Sequence, residues 1–172
     1  MRAFLPFLLL MGACDKSVIN VGDYAVFVVA YSEVEQSEEC FPDGEPLDEV
    51  GDATTFRTGG TFAIFASADE TFLLEMDGVV LQGSLSEDVY SFAATSTDID
   101  FFGYEDENRT SVELDFDVEI TVDKLTMSGE SVSDVQTDCV GPDCGDPSST
   151  SCTLSTNFSG SRVEDVDLKH EL

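Results

Sequence analysis

Apolar and polar positions alternate most cleanly across residues 112–122. Val112, Leu114, Phe116, Val118, Ile120 and Val122 are separated by Glu113, Asp115, Asp117, Glu119 and Thr121. A period of two sustained over this stretch predicts a β-strand with one buried face and one wet, acidic face. At Asp123-Lys124 the phase changes, and Leu125 and Met127 carry the apolar positions onto odd numbers, which predicts a tight turn or a bulge. Residues 24–31 (YAVFVVAY) are β-rich and almost continuously apolar. Residues 61–68 and 71–76 read as further strands, and Asp77-Gly78 then predicts a hairpin returning through residues 79–85. Residues 89–95, 99–104 and 151–163 complete the strand signals, with a polar turn at residues 105–108. Residues 32–39 predict one short helix, and no other window has a helical period.

These signals predict an all-β chain, an antiparallel meander of about eight or nine strands. It closes or partly closes as a barrel, with a β-sandwich as the alternative. An apolar-polar-Gly pattern recurs at Leu81-Gln82-Gly83, Met127-Ser128-Gly129 and Phe158-Ser159-Gly160. Glycine inside a strand marks a bend or a close approach of backbone. The plan resembles a lipocalin-type barrel by architecture. That resemblance implies a carrier of a small apolar ligand, which the chain's 13 Phe could line. The same rings could instead fill a solid core.

Charge narrows the partners. Seven Lys and Arg stand against 36 Asp and Glu, a formal charge of −29. Phosphate contacts need clustered cations, so the balance excludes nucleic acid as a partner. It also excludes docking on an anionic membrane by charge alone, so any membrane attachment must come from lipid. With 42% hydrophobic residues, wholesale disorder is excluded as well.

The N-terminus begins Met1-Arg2, continues through a short apolar run and ends in small residues. It is too short to span a membrane and reads as a secretion signal. Met11-Gly12-Ala13-Cys14 resembles the lipobox of bacterial lipoproteins, with Met11 where leucine is usual. The resemblance implies a diacylglyceryl group on the Cys14 thiol and cleavage just before that residue. It divides the chain into a signal (residues 1–13), a tether (14–22) and a single β domain (23–172). Asp15 occupies the position that resembles an inner-membrane retention signal in enteric lipoproteins. The expected location is the bacterial cell envelope, on a membrane facing the periplasm or exterior. The competing address is the endoplasmic reticulum lumen. Lys169-His170-Glu171-Leu172 resembles its retention tetrapeptide, and Asn108-Arg109-Thr110 and Asn157-Phe158-Ser159 fit the glycosylation sequon.

With Cys14 assigned to lipid, Cys40, Cys139, Cys144 and Cys152 remain, an even number in an exported protein. Two disulfides are expected, with Cys139–Cys152 and Cys40–Cys144 favoured among three pairings. The polar stretches around them, residues 36–52 and 137–150, read as loops. Zinc is disfavoured, because the spacings fit no common finger. Calcium is the metal candidate. Asp98, Asp100 and Gly103 begin like an EF-hand loop, and Asp138, Asp143 and Asp146 could hold an ion in a loop of their own. Catalysis has little to draw on. The single His is His170, third from the end, and no phosphate loop or nucleophile elbow occurs. The expected function is a non-enzymatic envelope protein that binds a protein partner or serves structurally. The alternatives are the apolar-ligand carrier and a carboxylate-based hydrolase.

Overall fold

The computed structural model describes residues 19–20, 22–41, 60–67, 71–76, 78–104, 107–145 and 148–166. Nine strands form in chain order: β1 (Tyr24–Tyr31), β2 (Glu35–Gln36), β3 (Thr61–Ala66), β4 (Phe72–Met76), β5 (Val79–Ser86), β6 (Val89–Phe102), β7 (Asn108–Asp123), β8 (Thr126–Val140) and β9 (Ser149–Arg162). A 3-10 turn, Glu38–Cys40, follows β2. Every pairing is antiparallel. The order β1-β3-β4-β5-β6-β7-β8-β9 returns to β1, so eight strands close a barrel. The ninth, β2, adds to β9 where β1 leaves off. Tyr31 pairs with Phe158 and Glu35 with Ser155, so one extra residue lies on the β1–β2 side, a bulge.

The barrel occupies only part of the sheet. β5 pairs with β6 through residues 89–93 alone, and β1 pairs with β9 through residues 158–162 alone. β6, β7, β8 and β9 run on past this ring and remain paired to one another almost throughout. They form a four-stranded blade projecting from one end of the barrel. At about 3.3 Å per residue, the nine residues of β6 beyond Ala93 reach about 30 Å. The start of β1, the 87–88 and 124–125 turns and the end of β9 lie at the opposite end, the entry end.

The alternation of residues 112–122 has its predicted consequence inside the ring. Phe116, Val118 and Ile120 are buried, while Asp115, Asp117 and Glu119 are exposed. With Phe27, Phe62, Ile64, Leu74, Met76 and Phe92 they fill the barrel. Edge-to-face contacts join Phe62 to Phe158 at 5.3 Å and Phe72 to Tyr90 at 5.0 Å. The recurring glycines explain themselves here. Gly83 lies opposite Phe92, Gly129 opposite Phe158 and Gly160 opposite Met127. A Cβ on Gly83 would stand 2.5 Å from the Phe92 ring, and one on Gly129 would stand 2.6 Å from the Phe158 ring. Each bare Cα gives floor space to a large side chain from the next strand.

Several sequence expectations change. Residues 89–95 and 99–102 form parts of one strand, because β7 continues beside both, and Gly103 and Tyr104 lie beyond its end. Residues 32–39 form no α-helix but the bulge, β2 and the start of the 3-10 turn. Leu125 belongs to no strand. It sits exposed in the two-residue turn between β7 and β8, where Lys124 takes a positive φ of 35°. Asn108 begins β7 rather than ending a turn. Of the stretch 137–150, read as a loop, residues 137–140 belong to β8 and residues 149–150 to β9.

The disulfides pair Cys40 with Cys152 and Cys139 with Cys144, correcting the expected Cys139–Cys152 and Cys40–Cys144. Register is the reason. The Cys139 amide donates to the Ser148 carbonyl, while Cys152 lies opposite Val135. Four residues therefore separate the two cysteines along the ladder. That is about 13 Å, against the 7 Å or less that a disulfide tolerates.

Candidate functional site

At the entry end the chain crosses the mouth of the barrel before joining the sheet. Ile19, inside the expected tether, is buried and belongs to the core. Its amide donates to the hydroxyl of the buried Tyr90 at 3.1 Å. The Gly22 amide donates to the Ala66 carbonyl, and the Asn20 side chain to Asp23. The chain leaving β9 returns over the same end, the Val163 amide donating to Val26 and the Tyr24 hydroxyl to the Val166 carbonyl. Between these segments lies a cleft of about 540 Å³, with Ile19, Tyr24, Val122, Leu125, Arg162 and Val163 in its walls. Cys14 and residues 167–172 lie outside the described residues.

The blade is built differently. On the face continuous with the barrel interior, Cys40, Val135, Cys152 and Leu154 form a second apolar cluster, with Val34, Val112 and Leu114 packed against it. The Cys40–Cys152 bond holds the 3-10 turn on this face. The Ser37 hydroxyl accepts from the Thr153 amide, and the Ser37 amide donates to the Thr153 carbonyl. At the far tip Asn108 is fully buried and ties two loops together. Its amide nitrogen donates to the Asp143 carboxylate and the Phe102 carbonyl, and its oxygen accepts from the Asp143 amide. Gly103 and Gly141, both at positive φ, surround it so closely that a Cβ at either would stand within 2.5 Å of Asn108. The first sequon therefore presents an interior asparagine, whereas Asn157 lies exposed on the outer face.

The outer face of the four long strands is strongly anionic. Asp115 lies directly opposite Asp134, and Glu119 opposite Glu130. Like charges in such positions repel. Thr95 donates to Asp115 at 2.6 Å and Thr153 to Asp134 at 2.5 Å, so the first pair sits in a hydroxyl-flanked row across four strands. Near Cys40, Glu39 is held below the usual carboxylate range by its backbone hydrogen bond and by the Ser37 hydroxyl.

The calcium candidates are not brought together. Asp98 and Asp100 lie on a strand, on the face continuous with the barrel interior, opposite Val112 and Thr110. Asp138, opposite Ser111, lies on the other face. Asp143 is engaged with Asn108, and Asp146 lies outside the described residues. Among the described residues no three His, Cys, Asp or Glu side chains converge as a metal site. The facing carboxylates stand on the exposed outer face of the sheet. No helix among the described residues is long and apolar enough to cross a membrane.

The feature that sequence reading missed is the blade's free edge. Beyond Ala93, β6 has β7 on one side and no described strand on the other. Ile99, Phe101, Phe102 and Tyr104 are exposed along it, with Val140 across the tip. The early end of β5 against a longer β6 could have signalled this edge. Compared with protein-family models, with curated proteins and with solved structures, the chain matches nothing.

Proposed function

We propose that the chain is a bacterial lipoprotein, acylated at Cys14 and held on a membrane facing the periplasm or exterior. Its domain is a non-enzymatic binding or structural module of the cell envelope. Cysteine pairing carries the reading. The chain has five Cys, and four are consumed in two disulfides with one another. That leaves Cys14, the residue in the lipobox-like Met11-Gly12-Ala13-Cys14, as the single Cys without a disulfide role. Two disulfides also fit an oxidising compartment outside the cytoplasm. From Cys14 to Ile19 the chain spans at most about 18 Å, so an acylated domain would stand with its entry end at the bilayer and its blade outward. Carriage of an apolar ligand in the barrel is the weaker reading, because aromatic side chains already occupy the interior.

The test is the intact mass of the membrane-extracted protein before and after reduction. The expected species begins at Cys14, carries diacylglyceryl and acyl groups, and gains four hydrogens on reduction. The Cys14→Ser variant is expected in the soluble fraction. A soluble, unlipidated wild-type product would overturn the reading and turn attention to Lys169–Leu172 as an address.

A further inference from the structure

The free edge of β6 has the makings of a docking site. Residues 94–102 pair with β7 alone among the described residues. The Ile99 amide is accepted by the carboxylate of its own neighbour Asp98 at 2.9 Å, so this N–H points off the edge rather than into the ladder. Backbone polarity alternates along an antiparallel strand, so Thr95, Thr97 and Phe101 direct their N–H and C=O groups the same way. Among the described residues nothing fills this template for one more strand.

The side chains around it are of two kinds. On the outer face Ile99 and Phe101 are 47% and 60% exposed, and Phe101 begins a row through Arg109 to Val140, 58% exposed. Of ten large apolar side chains exposed among the described residues, five lie between Ile99 and Tyr104 or at Val140. Such gathering marks an interaction surface, whereas scattered apolar residues do not. On the opposite face of the same strand stand Asp98 and Asp100, both exposed. Over residues 98–101 an incoming strand would meet apolar groups on one side and carboxylates on the other, with Phe102 following on the carboxylate face.

That pattern chooses the occupant. A second copy would bring another charge of −29 and a second Asp98 and Asp100 to the same seam. Like charges on adjacent strands destabilise their pairing, and inward charges of this kind commonly guard edges against self-association. A cationic segment inverts both terms. Farther in on the outer face, beyond Ile99 and Phe101, the carboxylates of Glu113, Asp115, Asp134 and Asp138 would add a long-range field that steers it to this sheet.

We propose that the free edge of β6 binds an extended cationic segment of a partner protein. The segment adds as a strand, its Lys or Arg side chains on Asp98 and Asp100 and its apolar side chains on Ile99 and Phe101. This deepens the binding role proposed above by naming the partner's chemistry. Its test reads the tip of the blade, while the anchor is read at Cys14, so either can fail alone.

The experiment uses the full chain and two capped decapeptides, one alternating Lys with Val and one alternating Glu with Val. Amide hydrogen exchange is followed by NMR, and affinity is measured at low and high salt. The Lys peptide is expected to slow exchange at Thr95, Thr97 and Phe101 by tenfold or more, about 1.4 kcal/mol, while the Glu peptide slows none. Its affinity should fall severalfold, on the order of 5-fold, between low and high salt. Thr97→Pro removes one outward N–H without touching the ladder to β7 and should abolish the protection. The charge reversal D98K/D100K, as a second variant, should transfer the preference to the Glu peptide. The proposal is overturned if Thr97→Pro binds as tightly as the native chain or if D98K/D100K keeps the Lys preference. It is equally overturned if protection falls only on β7 and β8, or if the chain alone protects its own edge with rising concentration.

Discussion

Inside the ring, β7 turns Phe116, Val118 and Ile120 toward aromatic side chains from every direction. A few residues nearer its start the same face carries Thr110, Val112 and Leu114, and among the described residues its apolar cover is the small cluster around Cys40. The same four strands thus pass from a closed environment to an open one without a break in their hydrogen-bonded ladder. The barrel is held by burial, which closure makes large for a short length of chain. The blade has burial on one face and relies on backbone pairing, one disulfide to a distant segment and one knot of polar contacts at the tip. The difference teaches that strand length alone does not distribute stability. What covers each face does.

The largest expected effect separates the two regions covalently. Cys40 and Cys152 are 112 residues apart, whereas Cys139 and Cys144 are five apart. Loop entropy assigns about 5 kcal/mol to the first bond and about 2 kcal/mol to the second. Replacing Cys40 and Cys152 by Ala should cost most of the larger figure, and amides of Val135 and Leu154 should lose exchange protection before those of Phe27 and Ile64. Uniform loss across both regions would show that barrel and blade are held as one unit.

Next comes Phe158→Ala inside the ring. Its ring contacts those of Phe62 and Tyr31 and covers Gly129. A cost of about 3–5 kcal/mol is expected, read by denaturant titration as one cooperative loss of barrel and blade together. If the blade keeps its protection while the barrel melts, the blade is the independent unit.

A smaller effect of opposite sign is expected on the outer face. Asp134→Asn removes the charge opposite Asp115. It should stabilise the protein by about 0.2–1 kcal/mol at low ionic strength, with the gain shrinking as salt is added. Calorimetry at two salt concentrations decides it, and destabilisation at both would show that the Thr153 hydrogen bond outweighs the repulsion.

The smallest effect is local. Glu39 titrates below the ordinary carboxylate range because its backbone hydrogen bond and the Ser37 hydroxyl favour the charged form. A lowered folded value adds stability above the ordinary carboxylate range, and that contribution fades as pH falls through the folded value. In Ser37→Ala the Glu39 midpoint, followed by NMR, should move up toward ordinary glutamate. An unchanged midpoint would leave the backbone hydrogen bond as the sole cause.

Much of the barrel was legible because its strands are short and patterned. Residues 24–31 became β1 with the same bounds, and Asp77-Gly78 separated β4 from β5 with Gly78 at a positive φ of 81°. β8 was hard to read for a specific reason. Its inward positions include Ser131, Ser133 and Thr137, the first two buried, so polar residues stand on both faces and alternation vanishes. Disulfide pairing was not legible, because it depends on a register that only the assembled β8–β9 ladder defines. The blade was invisible for a related reason. That β6 outlasts β5 is a relation between strands, and neither strand states it alone.

Ile19 in the barrel mouth has a mechanical consequence. If the chain is pulled from its N-terminus while the blade is held by a partner, tension enters at Ile19 and runs lengthwise down β1. That strand is bonded to β3 on one side and β9 on the other. Its bonds then carry the load side by side and must break together rather than peel one at a time. The strand nearest the leash is therefore the one best placed to bear force.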